Sequence, residues 1–208
     1  MARYTGPVCR LCRRYGDKLM LKGERCFSPK CAFEKRPTPP GDRTPRRRRV
    51  SDRALQLREK QKARYTYGVM ERQFGRYYRE AVRRPGVTGE NLLRLLEMRL
   101  DNVIYRLGFA DSRSQARQVV RHGHILLNGR KTNVPSCQVK ADDVIGWRAS
   151  SKNKEPFKIA QEMAKSARVP AWLNLDTEAM VGRVLSPPGP GDTEAKFDAS
   201  IIVEFYSR

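Results

Sequence analysis

Cys9 and Cys12 are separated by two residues, and thirteen residues later Cys26 and Cys31 are separated by four. Four thiolates suit tetrahedral Zn²⁺, and a shell closed by protein ligands implies a structural rather than a catalytic ion. The spacing predicts one Zn²⁺ per chain on Cys9, Cys12, Cys26 and Cys31. An iron–sulfur cluster uses the same four ligands and is the alternative. Residues 1–45 have almost no apolar core of their own, so metal is expected to hold them. Structural Zn²⁺ is worth on the order of 10–16 kcal/mol in small finger peptides. Arg10, Arg13, Arg14, Lys18, Lys22 and Arg25 surround the cysteines and would offset a negative tetrathiolate centre. Cys137 stands alone and reads as a small buried hydrophobe.

The second chemistry is capture of a polyanion. Lys and Arg number 43 against 22 Asp and Glu, a net charge of +21 on 208 residues. Such an excess repels itself unless a polyanion neutralises it. Solubility alone is met by net charges of about 2–8 on a small domain. Nucleic acid fits, because Lys and Arg displace the counterions condensed on its phosphates. The candidate contacts run along the chain: Arg3, Tyr4, Arg10, Arg13, Arg14, Lys22 and Arg25 at the start, then the run Arg46, Arg47, Arg48 and Arg49. Arg53, Arg58, Lys60, Lys62, Arg64, Arg72, Arg76 and Arg99 follow. Arg113, Arg117 and Arg121 recur every four residues and share a helical face. Ser114, Gln115, His122, Arg130 and Lys131 complete the set. Arginine suits phosphate because its fork donates two parallel bonds. Tyr65, Tyr67, Tyr77, Tyr78 and Tyr105 read first as core and second as stacking surfaces for unpaired bases. His122 and His124 have no Cys or carboxylate nearby in sequence and read as an RNA contact or a local turn bond. No P-loop, dinucleotide fingerprint, nucleophile elbow or H-E-x-x-H motif occurs, so no catalytic residues are assigned.

These groups need a scaffold. Pro37-Thr38-Pro39-Pro40-Gly41 predicts an extended linker, since proline lacks a donor and restricts its predecessor. Ser51 predicts the N-cap of a basic helix over 52–66. A second helix is expected over 70–83, on Met70, Phe74, Tyr77 and Ala81, and a third over 89–107. Ser112-Arg113-Ser114-Gln115 is a capping box opening a helix over 113–122. Residues 124–127 and 144–147 read as strands, with Asn128-Gly129 as a type I′ hairpin turn. Residues 154–167 read as an amphipathic helix. Residues 172–175 and the β-branched, aromatic run 201–206 read as strands. No apolar stretch approaches the ~20 residues of a membrane span, and the start lacks a secretory apolar segment. A cytosolic protein without disulfides or membrane contact is expected.

Several stretches carry a specific resemblance. Ala-Arg-Tyr-Thr-Gly-Pro at the start, Leu-Arg-Glu-Lys-Gln-Lys (57–62) and Glu-Arg-Gln-Phe (71–74) are three of them. Arg-Leu-Asp-Asn-Val-Ile-Tyr-Arg-Leu-Gly-Phe (99–109), Ser-Gln-Ala-Arg-Gln-Val-Val-Arg-His-Gly (114–123) and the terminal Val-Glu-Phe-Tyr-Ser-Arg are the others. In this order they resemble the bacterial small-subunit ribosomal protein S-four family, in its zinc-binding, four-cysteine type. The usual Gly-Gln-His-Gly after the prolines is here Gly41-Asp42-Arg43-Thr44. The resemblance implies an α+β fold: a Cys-rich, metal-stabilised N-terminal segment with its linker (1–45), a mainly helical domain (46–96, completed by 164–208), and an inserted αL RNA-binding module with a small β-hairpin sheet (97–163). It implies a ribosomal protein, not an enzyme, that binds 16S rRNA and nucleates assembly of its 5′ domain in the cytoplasmic 30S subunit. Ribosomal protein S-five and mRNA, where it enters the subunit, are the further implied partners. The latter is assigned to Arg46–Arg49, and contact with S-five to an influence on translational accuracy. No membrane contact or homo-oligomer is expected. Two rivals remain at this stage: an RNA-modifying enzyme of pseudouridine synthase type using the same αL module, and a zinc-finger nucleic-acid-binding regulator.

Overall fold

The structure, a computed structural model, describes residues 3–41, 50–193 and 197–207. In chain order these form α1 (Cys9–Tyr15), α2 (Glu24–Phe27), α3 (Ala32–Lys35), α4 (Asp52–Thr66), α5 (Glu71–Arg83), α6 (Thr88–Glu97), α7 (Leu100–Arg106) and α8 (Arg113–Arg121). Then come β1 (Ile125–Leu127), β2 (Arg130–Lys131), β3 (Val144–Trp147), α9 (Glu155–Ser166), β4 (Leu173–Asp176), β5 (Val181–Val184) and α10 (Ala199–Tyr206). Two compact units result: one runs to Leu92 and is completed by the chain after Thr193, the other is Leu93–Thr193. Among the described residues no helix is long and apolar enough to cross a membrane.

In the first unit, α1 stops at Gly16, whose φ of 70° closes the helix in the left-handed region that glycine tolerates. Leu11, Cys12 and Leu19 are buried together, with Tyr15, Leu21, Phe33 and Tyr65 packed against them. The N-terminal segment therefore has a small apolar core after all, because Tyr65 arrives from α4. The expectation that this segment has almost no apolar core is corrected: packing contributes, and sequence distance hid the partner. α5 buries Phe74, Tyr77 and Ala81 at helical spacing, as its apolar pattern predicts.

The C-terminal run expected as a strand is α10. Ile-Ile-Val-Glu-Phe-Tyr has strand propensity, but a short apolar run does not distinguish strand from helix. The Asp198 side chain accepts the Ser200 N–H and opens the helix. Ile202 is then fully buried, and Tyr206, one turn on, stacks on Tyr78 at 4.5 Å and on Phe74 at 6.2 Å. α10 packs on α4, which gives this segment a helical partner surface and no strand edge.

In the second unit the helix expected over 89–107 breaks at Arg99, whose ψ of 137° is extended. Tertiary bonds cause the break. The Leu100 N–H donates to the Cys137 carbonyl at 2.9 Å, and the Val139 N–H donates to the Met98 carbonyl at 2.9 Å. The sheet is antiparallel in the order β2-β1-β3-β5-β4. Asn128 and Gly129 both take positive φ, as a type I′ turn requires. β4 and β5 extend this sheet through β3 rather than joining the helical unit. One core, including Leu100, Val103, Ile104, Leu107, Val120, Ile125, Ile145 and Trp172, lies beneath the sheet and helices.

Gly182 sits where β5 crosses Leu107. A Cβ there would overlap that fully buried side chain, with Cδ2 only 2.7 Å away. Gly182→Ala is expected to destabilise the protein by about 1–3 kcal/mol through overpacking, measured as a lower urea midpoint. An unchanged midpoint would show that Leu107 has room to move.

Candidate nucleic-acid interface

α8 opens at Ser112 as predicted, but only half of the capping box forms, because the Gln115 side chain reaches the N–H preceding the N-cap. The Ser112 hydroxyl accepts the Gln115 N–H at 3.3 Å, and the Gln115 side chain accepts the Asp111 N–H at 2.8 Å. The three arginines of this helix do not share one environment, however. Arg113 is half-buried, donates to Asn102 at 2.7 Å and lies 4.4 Å over the Tyr105 ring. Arg117 is buried and donates to Asp101 at 3.1 Å. Arg121 is exposed. α8 packs on α7, which turns the first part of the expected arginine face inward. Arg99 goes further: it is 0% exposed and grips Asp101 with bonds of 3.0 and 2.7 Å. Beside it Glu97, also 0% exposed, takes Arg106 at 3.0 and 3.2 Å and Asn102 at 2.7 Å. Desolvated charges persist only when paired in this way. The geometry gives Arg99 and Arg117 an internal ion-pair role in place of the surface role expected from sequence.

Among the exposed basic residues of the second unit, Arg121, His122, Arg130 and Lys131 lie at the end of α8 and in the hairpin. The Lys131 chain lies against Gly123, where a Cβ would collide with it. This glycine lets the helix end and the hairpin meet. Burial pushes the nearby His124 imidazole down from its ordinary pKa, and the positive charges of Lys154, His122 and Arg148 push the same way. The locally positive potential thus favours its neutral form. Its Nδ1 lies 2.9 Å from the Ser151 hydroxyl, a contact between segments distant in sequence and not the local turn bond expected. Ser114 is exposed and Gln115 half-buried.

In the first unit Arg3, Tyr4, Arg10, Arg14, Lys22, Arg25, Arg53, Arg72 and Arg76 are exposed. Arg13 donates to the Thr38 carbonyl at 2.9 Å, and Arg58 to the Tyr15 carbonyl at 3.1 Å. Lys62 pairs with Asp17 and Glu59, and Arg64 lies 4.4 Å over the Tyr65 ring. Lys60 is buried, 2.8 Å from Glu71 and 4.7 Å over the Phe205 ring. Burial alone would raise the Glu71 carboxyl, but bonds from Lys60 and Tyr206 outweigh it and lower its pKa. Arg46–Arg49 lie outside the described residues. Arg79 and Arg83, missed from sequence, line a cleft of about 390 Å³ on α5 with Arg76 and Glu80. Their i, i+3, i+7 spacing with Arg76 was the available signal.

Cys9, Cys12, Cys26 and Cys31 line one small cavity of about 20 Å³ with Val8, Leu21 and Phe33. The Lys22 N–H donates to the Cys26 sulfur at 3.3 Å. Burial pushes the Cys12 thiol up, a backbone bond at Leu19 opposes this, and Cys26, Cys9 and Cys31 push it further up. The donor set and cavity suit one soft cation, yet among the described residues no group of three or more His, Cys, Asp or Glu stands at metal-holding spacing. The four thiols thus line one cavity without standing at metal-holding spacing.

Residues 3–97 match the family described as Ribosomal protein S4/S9 N-terminal domain, and residues 98–145 the S4 domain. The small ribosomal subunit protein uS4 of Dehalococcoides mccartyi is 54% identical over 208 residues, covering 100% of both chains. The chain belongs to the small ribosomal subunit protein uS4 family. The uS4A proteins of Symbiobacterium thermophilum and Clostridium botulinum are 56% and 55% identical, again over 100% of both chains. The S4 domain match spans α7, α8, the hairpin and the first half of β3. It therefore contains the buried Arg99–Asp101–Arg117 pairs and the exposed Arg121–Lys131 cluster of this uS4 family member.

Proposed function

We propose that this chain is a structural component of the small ribosomal subunit that binds folded 16S rRNA without catalysing a reaction. Its full-length identity to uS4 proteins is the observation that carries this reading. The exposed cations support it, because rigidly held arginines recognise phosphate placement and RNA shape more than base sequence. Nucleation of the 5′ domain, contact with ribosomal protein S-five and proximity of Arg46–Arg49 to mRNA belong to the same proposal. A competition experiment tests it. Labelled 16S 5′-domain RNA is expected to hold the protein against excess duplex DNA, and the protein to co-sediment with small subunits. Preference for the duplex would favour a DNA-binding regulator, and uridine isomerisation in the bound RNA would favour an enzyme.

The four cysteines add a metal proposal. They would hold one Zn²⁺ as thiolates, which supplies a cross-link and no chemistry. Their mutual repulsion as thiolates is the physical reason a cation would draw them together. Elemental analysis is expected to find about one Zn per chain, and Cys9→Ser to abolish it while α4 and α5 stay folded. Iron with a visible charge-transfer band would indicate the cluster instead. Metal-free protein with an equally protected N-terminal segment would end the proposal.

A further inference from the structure

A cleft of about 600 Å³ separates the N-terminal segment from α4 in the first unit. Its walls carry three phenol rings (Tyr4, Tyr15, Tyr65) and three guanidinium groups (Arg10, Arg14, Arg58), with Gln61 on the α4 side. None of the described residues lining it is a carboxylate. Tyr4 is 40% exposed and meets Tyr65 edge-on at 5.4 Å, and Tyr15 lies 5.9 Å from Tyr65. Gly6 sets the Tyr4 ring in place: a Cβ on Gly6 would stand 2.6 Å from the Tyr4 hydroxyl. The Gln61 Oε1 is buried and has no hydrogen-bond partner among the described residues. A buried acceptor is favoured by any donor that reaches it.

Each feature restricts the ligand. Three cations without a carboxylate call for an anion, and exposed rings call for a planar face. The Gln61 oxygen calls for an N–H. We propose that this cleft receives one nucleotide of the bound RNA, its base lifted out of the stack. The base lies on Tyr4, its edge N–H donates to Gln61 Oε1, and its phosphate meets Arg10, Arg14 or Arg58. The proposal rests on the rRNA-binding reading but goes beyond it, because it assigns base capture to a surface otherwise read as phosphate contact.

Base-specific chemical probing of 16S 5′-domain RNA, with binding titrations, tests this. Wild-type protein is expected to protect the edge of one unpaired nucleotide. Tyr4→Ala and Gln61→Leu should both lose that single protection; Tyr4→Ala should weaken binding by about 5- to 150-fold, the range for one base–aromatic stack, and Gln61→Leu by about 2- to 10-fold, the range for one hydrogen bond. Their salt slope should not change, since neither residue carries charge. Tyr4→Phe retains the ring and should retain the protection. Gln61→Leu also removes the orphan acceptor, so the free protein should unfold at equal or higher urea. A variant that binds less well without being less stable separates recognition from misfolding. Unchanged affinity and footprint in both Tyr4→Ala and Gln61→Leu would overturn the base pocket while leaving rRNA binding intact. Tight binding of free mononucleotides with no protected RNA position would overturn it too. Failure of wild-type protein to bind the RNA at all would instead remove the rRNA reading on which the pocket depends.

Discussion

Raising monovalent salt from about 50 to about 200 mM is expected to weaken binding to 16S rRNA by about 10⁴–10⁵-fold. The size follows from counting neutralised phosphates. If roughly ten are contacted, the slope of log affinity against log salt is about −7 to −9. A net charge of +21 supplies more cations than that requires, but the structure removes some from the count. Arg99, Arg117 and Lys60 are buried on Asp101 or Glu71, so they displace no counterions from RNA. The exposed set at Arg121, Arg130 and Lys131 and along α1, α4 and α5 remains. Losing one exposed arginine should lower the slope by about one, largely independently of RNA sequence. A filter-binding titration at several salt concentrations measures this. An affinity nearly flat in salt would mean that phosphate neutralisation is not the source of binding.

Asp101→Ala is expected to destabilise the second unit by about 3–5 kcal/mol, the range for breaking a buried ion pair by removing one partner. Asp101 is 4% exposed and receives Arg99 at 2.7 Å and Arg117 at 3.1 Å. Its loss leaves two desolvated guanidiniums facing each other's charge. Arg121→Ala, at the exposed end of α8, should change stability by no more than about 0.5 kcal/mol yet weaken RNA binding. Urea unfolding followed by fluorescence of Trp147 and Trp172, both in the core of this unit, reads the difference. Equal stability of the two variants would mean that the Asp101 network is open to water in solution.

The contrast between Arg117 and Arg121 marks how far sequence reasoning reaches here. A spacing of four places both on one side of a helix, but cannot say where the neighbouring helix covers that side. Glu97 and Asp101 offered the signal: acidic residues inside a strongly basic chain, close to arginines on an apolar helix. The C-terminal run teaches the same lesson. Its β-branched residues have strand propensity, and propensity is a weak prior that packing overrides. Asp198 was the local clue, and α4 was the deciding partner. The break at Arg99 had no local clue, because the groups that cause it come from Pro135 to Val139, far along the chain. The clefts were equally hidden. Tyr4, Arg10 and Gln61 are scattered in sequence, and only the fold makes them neighbours.

Composition and motif alone determined the excess of positive charge, the helix start at Ser112, the Asn128-Gly129 hairpin and the family. Net charge needs no fold to be counted, and these local motifs act over a few adjacent residues. The tertiary structure decided which cations face water, where helices break or replace strands, and how the cysteines and tyrosines converge. Those outcomes depend on desolvation and packing between segments distant in the chain, which no local pattern encodes.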